Sequence, residues 1–440
     1  MMSATDLDSW WMPFTHNRWF KQHPRLIVAA HGVHYTLADG RKVFDCLSGL
    51  WCSPLGHSHP GIVAAVQKQV ATLDFSPSFQ MGHPAAFSLA ARIAEFAGRP
   101  RDRVFFVNSG SEAVDTALKI AVAYHRARGE ASRTRIIGRE RGYHGVGMGG
   151  ISVGGIPSNR KMFAPLMIPG VDHLPHTWNP QHMAYSRGQP DWGAHLADEL
   201  ERIVALHDAS NIAAVILEPM QGSAGVIVPP RGYLQRIAQI CTKHGILLIF
   251  DEVITGFGRL GTPFAADFFG VKPDLITFAK AVNNGVVPLG GVLAAEAIYE
   301  AFMSGPLHAI EFFHGYTYSG HPLAIAAAHA ALDALTGGGV IAEGARLIPV
   351  LEDAVHSLRG EPHVTDIRNL GLAASIELAP IAGQPGLKSF RVFEQALEEG
   401  LLVRFSGDMV IVAPPFVASV DQVKAMVEGL RRALRKVANT

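Results

Sequence analysis

Lys280 stands just past the apolar run LITF (275–278), in the segment DLITFAKA (274–281). A lysine at the end of a buried strand is costly to keep charged, because desolvation favours the neutral, nucleophilic amine. Taken alone it could equally be a strand-end cation reaching water. One strand earlier, GILLIFDEV (245–253) ends another apolar run in the pair Asp251 and Glu252. A buried carboxylate stays ionised only beside a cation, and a protonated pyridine nitrogen would serve; otherwise Asp251 caps a loop. The third segment, NSGSEA (108–113), follows RVFFV (103–107) and opens a helical pattern, with Ser109 and Glu112 spaced as a capping box. A helix N-terminus offers free amides and a partial positive charge, and Gly110 lets a ligand phosphate come close to the backbone. A plain N-cap explains that segment by itself. The three together describe a phosphate cradle, an acid for a ring nitrogen and an amine able to form a Schiff base, which is the more economical account.

The elements that must hold these groups alternate. RVFFV (103–107), RII (135–137), IAAVIL (212–217), ILLIF (246–250) and LITF (275–278) are apolar throughout, as strands buried on both faces are. Amphipathic helices lie between them, one with Ala113, Ala117, Ile120, Ala121 and Tyr124 on a single face. This alternation predicts an α/β fold with a mostly parallel sheet. The C-terminal third differs: 364–378 and 401–413 read as antiparallel strands, the second pair turning at Gly407 and Asp408. Val420, Val423, Val427, Leu430 and Leu434 make the apolar face of a closing helix. The expected organisation is an N-terminal segment (1–60) packing with a small α+β domain (325–440) formed from both termini, around a large domain (61–324).

Composition narrows the partners. With 440 residues, 48% of them apolar, the chain can bury a large core, and Lys plus Arg equals Asp plus Glu at 38 each. No long-range field of either sign draws it to nucleic acid or anionic lipid, so small molecules are the expected partners. No apolar run approaches the ~18 residues that cross a bilayer, and the N-terminus lacks a signal-peptide pattern. The three cysteines, Cys46, Cys52 and Cys241, form no CxxC pair, and no HExxH or Cys/His cluster has ligand spacing. No metal site, no membrane and a cytoplasmic location are expected.

The motifs SGLWC (48–52), NSGSEAVDTALK (108–119), GYHG (142–145), EPMQGSAGVIVPP (218–230), LLIFDEVITGFGRLG (247–261), DLITFAKA (274–281) and HGYTYSGHP (314–322) resemble the class III (ω-) aminotransferases of PLP fold type I. The resemblance runs over nearly the whole chain and is nearest to β-alanine (ω-amino acid):pyruvate aminotransferases. It implies pyridoxal 5'-phosphate as cofactor, with Lys280 carrying it and shuttling the proton and Asp251 holding the pyridinium. Gly110 and Ser111 are implied to bind the phosphate, Tyr143 and Val253 to pack on the two ring faces, and Glu218 to lie beside the cofactor or merely to end its strand. Thr317 is implied to reach the phosphate of a neighbouring subunit, which makes a homodimer, or a dimer of dimers, with shared active sites. Arg404 matches the arginine that binds a substrate carboxylate, and Trp51 and Phe14 match substrate-pocket walls. Core roles for Tyr143 and Trp51, and an edge-strand role for Arg404, are the plain alternatives.

The implied reaction moves the amino group of an ω-amino acid or amine to pyruvate, giving alanine. One departure bears on the acceptor: 2-oxoglutarate-using relatives have a glutamate in the turn after EPxQ, where this chain has Gly222, Ser223, Ala224 and Gly225. Aminomutases and decarboxylases on the same scaffold share the lysine, aspartate and phosphate motifs. Of the decoys, 256–261 fits GxGxxG, but Pro263 and Gly270 break the helix that a dinucleotide site needs. The GxSxG at 150–154 sits in a glycine-rich loop and not at a strand-to-helix elbow.

Overall fold

The computed structural model describes residues 4–438. Three strands come first, β1 (Ile27–His31), β2 (His34–Leu37) and β3 (Lys42–Asp45), forming an antiparallel meander. The next seven make one sheet: β4 (Arg103–Val107), β5 (Arg135–Arg139), β6 (Val171–Leu174), β7 (Ile212–Leu217), β8 (Leu247–Asp251), β9 (Leu275–Phe278) and β10 (Gly290–Ala294). Its order is β4-β10-β9-β8-β7-β5-β6. The β6-β5-β7-β8-β9 run is parallel throughout, and β10 runs antiparallel to both β9 and β4. Every residue of β7, β8, β9 and β10 is buried, as helices on both faces require.

Sequence patterning missed β6 and β10. β10 opens on two glycines, which argue against a strand, and the packing explains both. A Cβ on Gly291 would come 2.3 Å from the Phe278 ring, and one on Gly290 would come 2.6 Å from the Ser109 carbonyl oxygen. Only glycine lets β10 slot between β9 and β4.

The remaining strands are β11 (Val364–Asn369), β12 (Ala374–Leu378), β13 (Leu401–Leu402), β14 (Arg404–Ser406) and β15 (Met409–Val412). β11, β12, β15 and β14 form an antiparallel sheet in that order, with β14 and β15 joined across Gly407 and Asp408. Within 401–413 one expectation changes: β13 leaves that sheet and pairs in parallel with β3, Leu401 opposite Phe44. The chain's two ends are therefore stitched by backbone hydrogen bonds. The closing helix spans Val420–Ala438 and buries Val423, Val427, Leu430 and Leu434. Val420, at its first turn, is 42% exposed and drops out of the expected face.

One continuous core joins the N-terminal strands, one face of the large sheet and the C-terminal elements. A second core fills the opposite face under the helix Gly110–Ala127, whose Ala113, Ala117, Ile120, Ala121 and Tyr124 are all buried. Among the described residues, no single helix is long and apolar enough to cross a membrane, and no group of His, Cys, Asp or Glu could hold a metal ion.

Candidate active site

β4, β5, β7, β8 and β9 all point the same way, so the residues just past them converge at one edge of the sheet, where open α/β sheets place their ligands. A cavity of about 130 Å³ lies there. β4 delivers Gly110 and Ser111, β5 delivers Tyr143 and His144, β7 Glu218, β8 Asp251 and Val253, and β9 Lys280.

The helix Gly110–Ala127 begins at the cavity wall. Ser109 caps it, its hydroxyl accepting from the Glu112 amide at 3.2 Å. The Glu112 carboxylate reaches back one residue further than a capping box predicts, accepting from the Asn108 amide at 2.7 Å and the Asn108 side chain at 3.0 Å. The first-turn amides of Gly110 and Ser111 have no intrahelical acceptor and remain for a ligand. Gly110 serves a different contact from the one its sequence context suggested: a Cβ there would meet Val253 Cγ1 at 2.9 Å. Gly145, at φ +87°, is equally constrained, because a Cβ would come 2.4 Å from Ser111 Oγ. That hydroxyl accepts from the Val146 amide at 3.0 Å, which leaves its proton to donate.

Asp251 is buried, and both its oxygens are engaged. Thr277 Oγ1 donates to Oδ1 at 3.1 Å, and the Val253 amide donates to the same oxygen at 3.2 Å. His144 Nδ1 lies 2.7 Å from Oδ2, while His144 Nε2 is buried without a partner. Glu218 accepts from the Tyr143 amide at 2.8 Å and from the Gly222 amide at 3.2 Å. Burial pushes its carboxyl up to about 7, with the Asp251 charge adding to the rise and His144 opposing it. Lys280 sits at φ +49°, a left-handed conformation that costs a side-chain-bearing residue of order 1 kcal/mol or more. Burial lowers its amine's pKa, and Cys52, Asp251 and Glu218 partly restore it. The turn after it is tied down by Asn284, whose side chain accepts from the Leu55 amide at 3.0 Å and donates to the Gly56 carbonyl at 2.7 Å.

Arg404, on β14, is close enough to couple electrostatically to Tyr143 and Lys280. Its Nε is buried with no hydrogen-bond partner, and burial lowers its pKa. Arg404 does not itself line the cavity, but a guanidinium short of acceptors this near to Tyr143 and Lys280 is suited to a carboxylate. The other expected residues lie elsewhere. Trp51 is buried in the core with its ring 5.7 Å from the Arg259 guanidinium, and it does not line the cavity. Phe14 is 76% exposed at the surface, and Thr317 is also exposed, so neither meets the cavity of its own chain.

Residues 15–434 match the family Aminotransferase class-III. The chain belongs to the class III aminotransferases. Its architecture is accordingly the type I fold of PLP-dependent transferases. Over 434 residues it is 57% identical to an ω-aminotransferase of Caulobacter vibrioides, with 99% of each chain covered. It is 51% identical to a β-alanine–pyruvate aminotransferase of Pseudomonas aeruginosa, covering 99% of this chain and 97% of the relative. Among solved structures, an amine transaminase from an uncultivated Pseudomonas species, in its PLP-bound form, superposes with a TM-score of 0.89 at 34% identity, covering 97% of this chain and 98% of that one.

The class III cavity contains groups that no single motif marked. GYHG drew attention to Tyr143, yet His144, the next residue, supplies the contact to Asp251. Thr277, inside β9, and Ile254, after β8, also face this site. The alternation of a strand with one polar residue was the available signal for Thr277. Nothing local distinguishes Ile254 from core.

Proposed function

We propose that this aminotransferase binds pyridoxal 5'-phosphate in the cavity and moves the amino group of an ω-amino acid such as β-alanine, or of an amine, to pyruvate. The observation that carries the reading is the meeting of a half-buried, desolvated Lys280 amine with the Asp251 carboxylate in one cavity, near an Arg404 whose Nε has no partner. The similarity to the Caulobacter ω-aminotransferase supports the donor class, and that to the Pseudomonas aeruginosa β-alanine–pyruvate aminotransferase supports both donor and acceptor. The residues fit the cofactor on this structure's own terms: two free amides at a helix start, two glycines that let Val253 and Ser111 pack closely into the cavity wall, and an ionisable acid at the far strand end.

When bound, the cofactor supplies an aldehyde that takes up amino groups covalently and a protonated ring that accepts the electron pair of the broken C–H bond. Gly110 and Ser111 hold the phosphate with their amides, assisted by the helix dipole. Tyr143 and Val253, which both line the cavity, would pack against the ring. Asp251 keeps the proton on the ring nitrogen, and His144 and Thr277 fix the orientation of its two oxygens. Lys280 Nζ, biased towards neutrality by burial, removes the proton from the amine-bearing carbon and returns it on the other side of the transfer. Glu218 orients the Tyr143 backbone, and Arg404 pairs the substrate carboxylate through its planar fork.

The acceptor follows from charge. The second carboxylate of 2-oxoglutarate needs its own cation, and burying it unpaired costs several kcal/mol. The turn 222–225 has no acid to mask and unmask an arginine, and its Gly225 is pressed against β15, where a Cβ would meet Met409 Sδ at 2.0 Å. A donor and acceptor panel tests this reading: β-alanine with pyruvate yields alanine at a kcat/KM well above that for 2-oxoglutarate. Equal values for the two acceptors, or carbon dioxide release in place of transfer, would overturn it.

The reading includes a dimer. Phe79, Met81 and Phe87 are each more than half exposed and line one groove with His314, Gly315, Ser319 and Gly320, on either side of Thr317 in the chain, and Phe313 and Tyr318 are more than half exposed as well. An apolar face of this kind suits a second copy, whose cofactor phosphate Thr317 would then approach.

A further inference from the structure

The loop that brings Tyr143 to the cofactor cavity has a second use. Glu140 and Arg141, the residues between β5 and that loop, line a different cavity of about 550 Å³, together with Arg160, Lys161, His173 and His176. It lies off the carboxyl ends of the parallel neighbours β5 and β6, at Arg139 and Leu174, the same sheet edge that carries the cofactor site.

The charges there do not balance. Among the described residues none of Arg141, Arg160 and Lys161 forms an ion pair, and Glu140 is the single carboxylate in the lining. Glu140 is already engaged by the His176 amide at 3.4 Å. Arg141 holds a left-handed backbone at φ +61° and places its guanidinium 5.0 Å from the Trp178 ring centre. Arg160 spends one nitrogen on the carbonyls of Ser152 and Gly154, at 2.5 and 2.7 Å, closing the helix Met148–Val153. His176 Nδ1 is buried with no partner. Burial lowers the pKa of Arg141, Arg160, His173 and His176 alike, and the nearby carboxylates, Glu377 and Glu140 for Arg141 and Glu140 for His176, only partly oppose it.

We propose that this cavity binds a small multivalent oxyanion, of the phosphate or the di- and tricarboxylate class, at a site separate from the cofactor and from Arg404. Three cations around a roomy cavity, with the unpartnered His176 Nδ1 beside them, offer several charge-assisted hydrogen bonds to such a ligand and little to a monovalent one.

Calorimetric titration of the holoenzyme in a chloride buffer with pyrophosphate, citrate and acetate tests it. One pyrophosphate or citrate binds per chain, and whichever binds tighter identifies phosphoryl or carboxylate as the natural chemistry. Acetate binds at least about tenfold more weakly, and Lys161→Glu and Arg141→Gln each weaken the multivalent anion by about tenfold or more, the loss of one charged contact. Lys161→Glu leaves kcat for transamination unchanged, and Arg404→Ala leaves the anion affinity unchanged. Absence of saturable binding at millimolar anion would overturn the proposal, as would binding that survives both Lys161→Glu and Arg141→Gln or that disappears with Arg404→Ala. Arg160 is unsuitable as a probe because its loss also uncaps a helix.

Discussion

Lys280 and Arg404 divide the chemistry between an amine that must lose its charge and a guanidinium that must keep it, and burial acts on both. Replacing Lys280 with Ala removes covalent capture and proton transfer together, so turnover is expected to fall by several orders of magnitude while phosphate contacts still retain cofactor. Borohydride reduction of the wild type followed by peptide mapping checks the assignment: label on Lys243 or Lys272 would refute it. Arg404→Ala is expected to cost about 2 to 5 kcal/mol in kcat/KM for carboxylate substrates and far less for an amine without a carboxylate. Equal losses for both substrate types would show that another residue reads the carboxylate. Glu218 has a pH signature. Its carboxyl is raised from 4.5 in the unfolded chain to about 7 in the fold, so the folded state binds more protons between those values. Its contribution is therefore fully present below pH 4.5 and is lost as pH rises through 7. In the cofactor-free protein, Glu218→Gln is expected to flatten the stability profile in that window by up to roughly 3 kcal/mol. Urea titrations of the two proteins at several pH values measure it, and parallel profiles would mean that Glu218 is not buried in its neutral form.

The elements carry these groups because their ends are pinned. The helix Ala265–Phe269 starts on the buried Glu252, whose two oxygens accept from the Ala265 and Ala266 amides at 2.5 and 2.9 Å while Thr255 donates at 3.0 Å. Glu252 was legible as half of a strand-end carboxylate pair, but its sequence position could not say which member faced the cavity. The fold separates them: Asp251 lines the cavity, and Glu252 caps a helix behind it. Glu252→Ala is expected to destabilise the protein by about 1 to 3 kcal/mol for each amide left unpaired, while Asp251→Asn is expected to impair turnover more than stability. Thermal melts and kcat measured on both variants would expose an inverted assignment. Ser109→Ala is the milder case, costing about 1 kcal/mol for a lost N-cap. It also loosens the start of the helix that offers the Gly110 and Ser111 amides, so cofactor affinity should fall with it.

At the scale of the whole molecule, the exposed Phe87 and Phe313, 73% and 86% accessible, argue that the chain does not work alone. Sedimentation is expected to show a dimer that Phe87→Glu weakens and that cofactor removal also loosens, since a ligand bridging two subunits stabilises their association by mass action. A fully active monomer would end this idea. Short-range patterns were enough for the parallel core, because strands buried on both faces must be apolar along their length: β7 and β9 begin and end where their apolar runs do, whereas β4, expected to be buried, is an edge strand paired only with the antiparallel β10 and buries only Val107. They were enough, too, for the positions of Asp251 and Lys280, since a charged residue closing such a run marks where the strand leaves the core. Other features depended on contacts between residues far apart in the chain. β10 reads as a glycine-rich loop until Phe278 and Ser109 occupy the space where its Cβ atoms would be. Leu401 and Leu402 read as part of a C-terminal hairpin until β3 supplies a parallel partner from the other end of the chain. His144 acquires its place only when β5 and β8 bring it to Asp251, and Trp51 is drawn into the core beside Arg259. Periodicity and strand-end charges are local properties of the chain, whereas burial, hydrogen-bond partnership and the space left for a ligand belong to residues that meet only when the sheet is assembled.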